Sequence, residues 1–191
     1  ERFLQRIANG EDADGRLAGV VGLHAQFTCS DATFDEARRV AESYHTGVHI
    51  HAAEAAADLA DAHRRGKQGV IHRLHENGLL GEKSIVAHII HTDPSEWAIL
   101  AETKTAATHQ PTSNMNNAVG AMDFCGVARA GVLLGIGTDG MTPNVLEDLR
   151  VASWLARHRA GDPRVGWGEP VRAFMEGNGA IASRYFKKPV G

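Results

Sequence analysis

The sequence predicts an α/β fold equivalent to five consecutive units of a (β/α)8 TIM barrel, on three observations. Five apolar runs too short for helices alternate with stretches of helical periodicity. Strict alternation calls for parallel strands joined by right-handed crossovers. Polar residues then recur where strands give way to loops: His24, His51-Ala52-Ala53-Glu54, Ala87-His88, His109-Gln110 and Gly137-Thr138-Asp139-Gly140. An open doubly wound sheet gathers its ligand groups at one switch-point crevice. A barrel draws them from the ends of several strands, and that pattern is the one seen. A complete barrel needs eight units and about 250 residues, so the 191 residues supply a partial one.

Taken in order, residues 1–16 are polar and irregular, with a turn at 10–15. The apolar run 17–25 is a strand by its length and flanking turn formers. Ser30 is a good N-cap, Asp31 suits the positive end of a helix dipole, and Phe34, Ala37, Val40 and Ala41 recur at helical spacing up to about Tyr44. Strand 47–51 follows, then helices near 55–65 and 68–78, strand 84–88 and helix 94–102. Strand 104–109, helix 120–130, strand 131–137 and helix 144–159 complete the alternation. Pro170 just inside a start signal opens one or two closing helices over 169–186.

Composition narrows the function. A hydrophobic content of 43% over 191 residues supports one cored domain. The formal charge of −3, with basic residues scattered rather than striped, argues against a nucleic-acid partner. No apolar run approaches the ~20 residues of a membrane span. Cys29 and Cys125 lack metal-type spacing and read as free thiols of a cytoplasmic protein. Among the eleven histidines, His63, His72, His75 and His158 lie in charged helical surroundings, whereas His24, His49, His51, His88, His91 and His109 fall in or just after strands.

The ordered set of strand-end motifs resembles strands five to eight of the amidohydrolase superfamily, in its cytosine/guanine deaminase and chlorohydrolase branch. Gly22-Leu23-His24-Ala25, Gly78-Leu79-Leu80-Gly81-Glu82-Lys83 and Trp167-Gly168-Glu169 are similar to SsnA-type aminohydrolases. The resemblance implies that residues 1–191 are the C-terminal portion of the barrel, about units four to eight. Strands one to three and the family's β-sandwich are then expected upstream or elsewhere, which fits a start at Glu1 rather than Met.

That family holds one divalent metal, zinc or iron, on a His-x-His of strand one, a His of strand five and an Asp of strand eight. By resemblance the last two are His51 and Asp139, both proper ligands for a catalytic metal with an open position for water. Glu54 is then the proton shuttle, His88 orients and steadies the attacking oxygen, and Asp139 also accepts a hydrogen bond from the water. His24, His109 and His91 are the expected substrate contacts. Ser113 and Asn114 are expected to fix the loop after strand seven. The implied function is hydrolysis of a C–N or C–Cl bond of a heterocyclic small molecule.

Alternatives stay open. His49 shares a face with His51 by the two-residue period, so His49-x-His51 could mimic the upstream pair. With one His and one Asp in hand, metal binding by this chain alone is expected to be weak. The alternative to an enzyme is a non-catalytic half-barrel that associates with itself or another chain. Strand edges near 19–25 and 132–137 would favour association, and a homo-oligomer is expected.

Overall fold

A computed structural model describes residues 1–12, 14–186 and 190. Five strands, β1 (Val21–Ala25), β2 (Val48–Ala52), β3 (Ile85–His88), β4 (Ala106–His109) and β5 (Leu134–Ile136), form one sheet. All four pairings are parallel and the spatial order is β1-β2-β3-β4-β5. Sequential order is what consecutive barrel units produce. A doubly wound sheet would reverse direction at a switch point. The predicted α/β architecture is therefore the observed one.

Helices follow the strands: α2 (Asp31–Ser43), α3 (Ala56–Arg64), α4 (Val70–Glu76), α5 (Pro94–Glu102), α6 (Pro111–Asn116), α7 (Phe124–Arg129) and α8 (Val145–Ala160). Ser30 caps α2 by accepting from the Thr33 amide, as expected, and Asp93 with Glu96 completes a capping box on α5. The closing segment is α9 (Glu169–Arg172), a short π-helix over Ala173–Gly177 and α10 (Asn178–Ser183).

Several boundaries differ from the sequence reading. The strand expected over 17–25 starts at Val21, whose amide makes the first ladder bond, to Gly47 O at 3.0 Å. The strand expected over 104–109 starts at Ala106, bonded to Ser84 O at 3.1 Å. Helix 120–130 shortens to α7, capped by Asp123. Two helices were not anticipated: α1 (Arg2–Ala8), which buries only Leu4, and α6 in the loop after β4.

Register sorts the two faces of the sheet. Ile50 pairs Val86, Val86 pairs Ala107 and Ala107 pairs Leu134. These side chains join Phe34, Ala62, Ile71, Leu74, Leu100, Phe124 and Val127 of the helices in one core. Burying that face is the main stabilising contribution, at about 25 cal/mol per Å2 of apolar area. His49, His51, Ala87, Thr108 and Gly135 occupy the other face, since His49 pairs Ile85, His51 pairs Ala87 and Thr108 pairs Gly135. In a barrel that face is the interior.

The two sheet edges are unequal. The edge expected to be open at 132–137 is closed at Ile136, whose N–H donates to Asn178 Oδ1 (2.9 Å) and whose C=O accepts from Asn178 Nδ2 (3.0 Å). One side-chain amide thus replaces a neighbouring peptide. Gly177 permits this approach, because a Cβ there would collide with Leu134 O. Among the described residues β1 pairs only with β2, and a groove of about 660 Å3 runs along it between Phe3, Leu4, Val21, Leu23, Ala37 and Val40.

Candidate functional site

Because every strand is parallel, the residues at their C-terminal ends meet on one side. His51 is the last inward residue of β2, and Glu54 follows two residues after the strand. His88 closes β3, and Asp139 lies three residues beyond β5. The structure brings His51, Glu54 and His88 together, with one ligand atom from each within 4.8 Å of the others. The His51 and His88 rings stand perpendicular at 5.1 Å between centroids, and His88 Nε2 is 3.7 Å from Glu54 Oε2. His24 adjoins them, 5.6 Å from the His51 ring, exposed, and anchored through Nδ1 to Thr28 Oγ1 at 3.2 Å. His49 lies one layer deeper on the same face, 6.4 Å from the His51 ring.

Helix α6 ties the cluster to Asp139. Ser113 Oγ donates to Asp139 Oδ2 at 2.7 Å, and Asn114 Oδ1 lies 2.8 Å from His88 Nδ1. The His88 backbone amide donates to Gln110 Oε1 at 3.0 Å. Helix α6 is itself pinned by α8, through the Thr112 amide on Asp148 Oδ1 (3.1 Å). Ser113 and Asn114 therefore do more than fix a loop. Pro111 at the first helical position was the available signal for α6.

A second support lies under the β1 and β2 ends and was not legible as such. Arg73, only 1% exposed, packs over Phe34 and donates to Gln26, Cys29 O and Asp31. Gln26 Nε2 donates to Asp58 O, and Asp58 Oδ2 accepts from the Ala53 amide. Ala53 (φ 52°), His88 (φ 75°) and Asp139 (φ 53°) are all left-handed non-glycine residues at or just past strand ends. Such conformations cost about 1–3 kcal/mol each and concentrate at functional sites.

The structure does not bring His109 to the cluster. Its register with Ile136 puts it on the helix-facing side, fully buried, with its ring 5.6 Å from Phe124 and Nδ1 without a hydrogen-bond partner among the described residues. His91 is half-buried, with Nε2 3.0 Å from Val119 O and its amide on Ala53 O.

Electrostatics follow from these positions. Burial lowers the pKa of His51, with His88 adding to the shift, and burial also lowers that of His49. Both are thereby favoured as neutral imidazoles. The Ser113 hydroxyl holds Asp139 below the ordinary carboxylate range. Burial raises Asp58 and pushes His109 down to about 3. Imidazole nitrogens and a carboxylate are the donor types of a divalent transition-metal site, and His51, Glu54 and His88 are of those types.

The model of the amidohydrolase family matches residues 1–171 of this chain. The chain belongs to the amidohydrolase family. Among curated amidohydrolase relatives, 5-methylthioadenosine/S-adenosylhomocysteine deaminase of Symbiobacterium thermophilum is 34% identical over 163 residues, 82% of this chain and 37% of that protein. The enzyme of the same name from Thermococcus onnurineus is 34% identical over 184 residues, 94% of this chain and 43% of that protein. Among solved structures, a zinc-bound adenosine deaminase from Xanthomonas campestris superposes with a TM-score of 0.87 at 27% identity, covering 100% of this chain and 45% of that one. Guanine deaminase of E. coli gives 0.80 at 26% identity, covering 93% and 42%. This amidohydrolase chain thus spans roughly two fifths of the length of the curated relatives it matches.

Proposed function

We propose that the chain is the C-terminal portion of the barrel of a metal-dependent aminohydrolase that deaminates an amino-heterocycle, most closely an adenine-type nucleoside. The supporting observation is the convergence of His51, Glu54 and His88 at consecutive strand ends, in a chain 34% identical to deaminases of adenine nucleosides. Hydrolytic dechlorination is the second chemistry of the family branch. It is placed behind deamination because the triazine chlorohydrolase neighbour is 20% identical, a likeness of fold alone.

In this reading His51 and Asp139 would hold the cation, together with the two histidines of the His-x-His pair that the family resemblance implies. When bound, a zinc-type ion acts as a Lewis acid and brings a water's pKa toward 7. Glu54 takes a proton from the attacking water and returns it to the departing nitrogen. A C–O bond forms at the ring carbon, the C–NH2 bond breaks, and ammonia leaves. His88 steadies charge on the attacking oxygen, with its ring held by Asn114. His24, exposed beside His51, reads the ring or its substituents. Of the three histidines expected to meet substrate, the proposal keeps this one. Two buried free thiols suit a reducing cytoplasm, and the position of β1 at the edge of the described sheet supports self-association.

The test is a panel of adenosine derivatives, guanine, cytosine and chlorotriazines, assayed with a full-length, zinc-loaded protein carrying this chain. Ammonia release from the amino-heterocycles is expected. Chloride alone would move the assignment to a chlorohydrolase, and release of neither would remove the hydrolase reading.

A further inference from the structure

Nothing beside Glu54 in the sequence can hold its side chain. It sits in the run His51-Ala52-Ala53-Glu54-Ala55-Ala56-Ala57, whose alanines carry no side-chain donor. Among the described residues its carboxylate accepts one hydrogen bond, and the donor belongs to the loop after β4, two strands away. Asn117 Nδ2, 63 residues along the chain, reaches Glu54 Oε1 at 3.3 Å.

The local structure of Asn117 aims that donor. Asn117 ends helix α6 with near-helical backbone angles (φ −83°, ψ −4°), and its amide donates to Ser113 O at 2.9 Å. Its Oδ1 accepts from Asn116 Nδ2 at 3.1 Å, which leaves Nδ2 to face Glu54. Asn114 lies three residues earlier, on the same side of the helix, with Oδ1 2.8 Å from His88 Nδ1. The two asparagines therefore bracket the His88–Glu54 pair, whose Nε2 and Oε2 are 3.7 Å apart. The bond from the Thr112 amide to Asp148 Oδ1 anchors this fork to α8.

We infer that Asn117 is a positioning residue for the hydrolysis, holding the Glu54 carboxylate in the rotamer that faces His88. The inference rests on reading Glu54 as the proton shuttle. A carboxylate on three rotatable bonds moves protons efficiently only when it is held in line with the reacting atoms. At 3.3 Å the bond from Asn117 is long, as such bonds are before substrate tightens a site. The effect of Asn117 on the reaction passes through Glu54.

The test uses the full-length zinc-loaded protein and the amino-heterocycle from which it releases ammonia fastest. Asn117→Ala should lower kcat about tenfold and leave KM within about twofold, since a misplaced catalytic group costs up to about 100-fold. Asn117→Asp, of the same size but with no N–H to donate, should lose at least as much. Added to Glu54→Gln, Asn117→Ala should cost less than about twofold more, because the group it positions no longer carries a proton. An equal loss in both backgrounds would mark a structural role and overturn the inference. So would a raised KM at unchanged kcat, which would make Asn117 a substrate contact. Full kcat for Asn117→Ala beside an impaired Glu54→Gln would overturn the inference alone. Full kcat for Glu54→Gln would overturn the proton-shuttle reading and the inference with it. A crystal structure of full-length Asn117→Ala gives a readout independent of turnover. Glu54 should leave its rotamer beside His88, and a carboxylate that keeps its place there would overturn the inference.

Discussion

The backbone amide of Ala53 donates to Asp58 Oδ2, and Ala53 itself sits at φ 52°, one residue before Glu54. A buried carboxylate on α3 therefore holds the left-handed turn that aims Glu54 at His88. Asp58→Ala leaves the buried Ala53 N–H without a partner and should destabilise the chain by about 1–3 kcal/mol. Asp58→Asn keeps an oxygen for that N–H and should recover most of the loss. Urea denaturation of the three proteins measures both, and equal losses for Ala and Asn would show that the charge, not the hydrogen bond, matters.

Asn178 presents a second case of one side chain standing in for backbone. Asn178→Ala strips both partners from Ile136 and opens the β5 edge. A loss of about 1–3 kcal/mol is expected, together with new concentration-dependent association. Light scattering across a dilution series checks the second effect. A variant as monodisperse as the parent would mean the edge is protected by other means.

Acid should destabilise the fold through His109. Its folded-state pKa is about 3 because burial excludes the charged ring, whereas the unfolded chain binds that proton near pH 6.5. Between those values the unfolded state holds more protons, so stability falls as pH drops. The slope for one site approaches about 1.4 kcal/mol per pH unit. Chemical denaturation at pH 7, 6 and 5 should show this fall. His109→Leu should flatten it, and an unchanged slope in that variant would place the acid sensitivity elsewhere.

Much of this was legible before the structure. The five strands, their parallel order and the His51–Glu54 spacing all follow from apolar runs and the residues that end them. Helix α6 was hidden because Ser113 and Asn114 behind Pro111 read equally as a turn, and six residues are too few for a periodicity. The supporting role of Asp58 was hidden for another reason. An acidic residue in the first turn of a helix ordinarily serves the dipole, and nothing local shows that it is 1% exposed. The side of the sheet that His109 faces was readable in principle. It is two residues from Ala107 and shares its face, and that face packs against the helices.

The central claim is that Glu54 moves protons at a metal-dependent hydrolytic centre. The most direct measurement is ammonia release by full-length zinc-loaded protein carrying Glu54→Gln, with bound metal determined on the same sample. Glutamine keeps the size of the side chain and its bond from Asn117 Nδ2 (3.3 Å) but cannot carry the proton. The account predicts that metal content stays at one per chain while kcat falls by at least about 100-fold, the scale of general acid–base catalysis. Full turnover at unchanged metal content would contradict it.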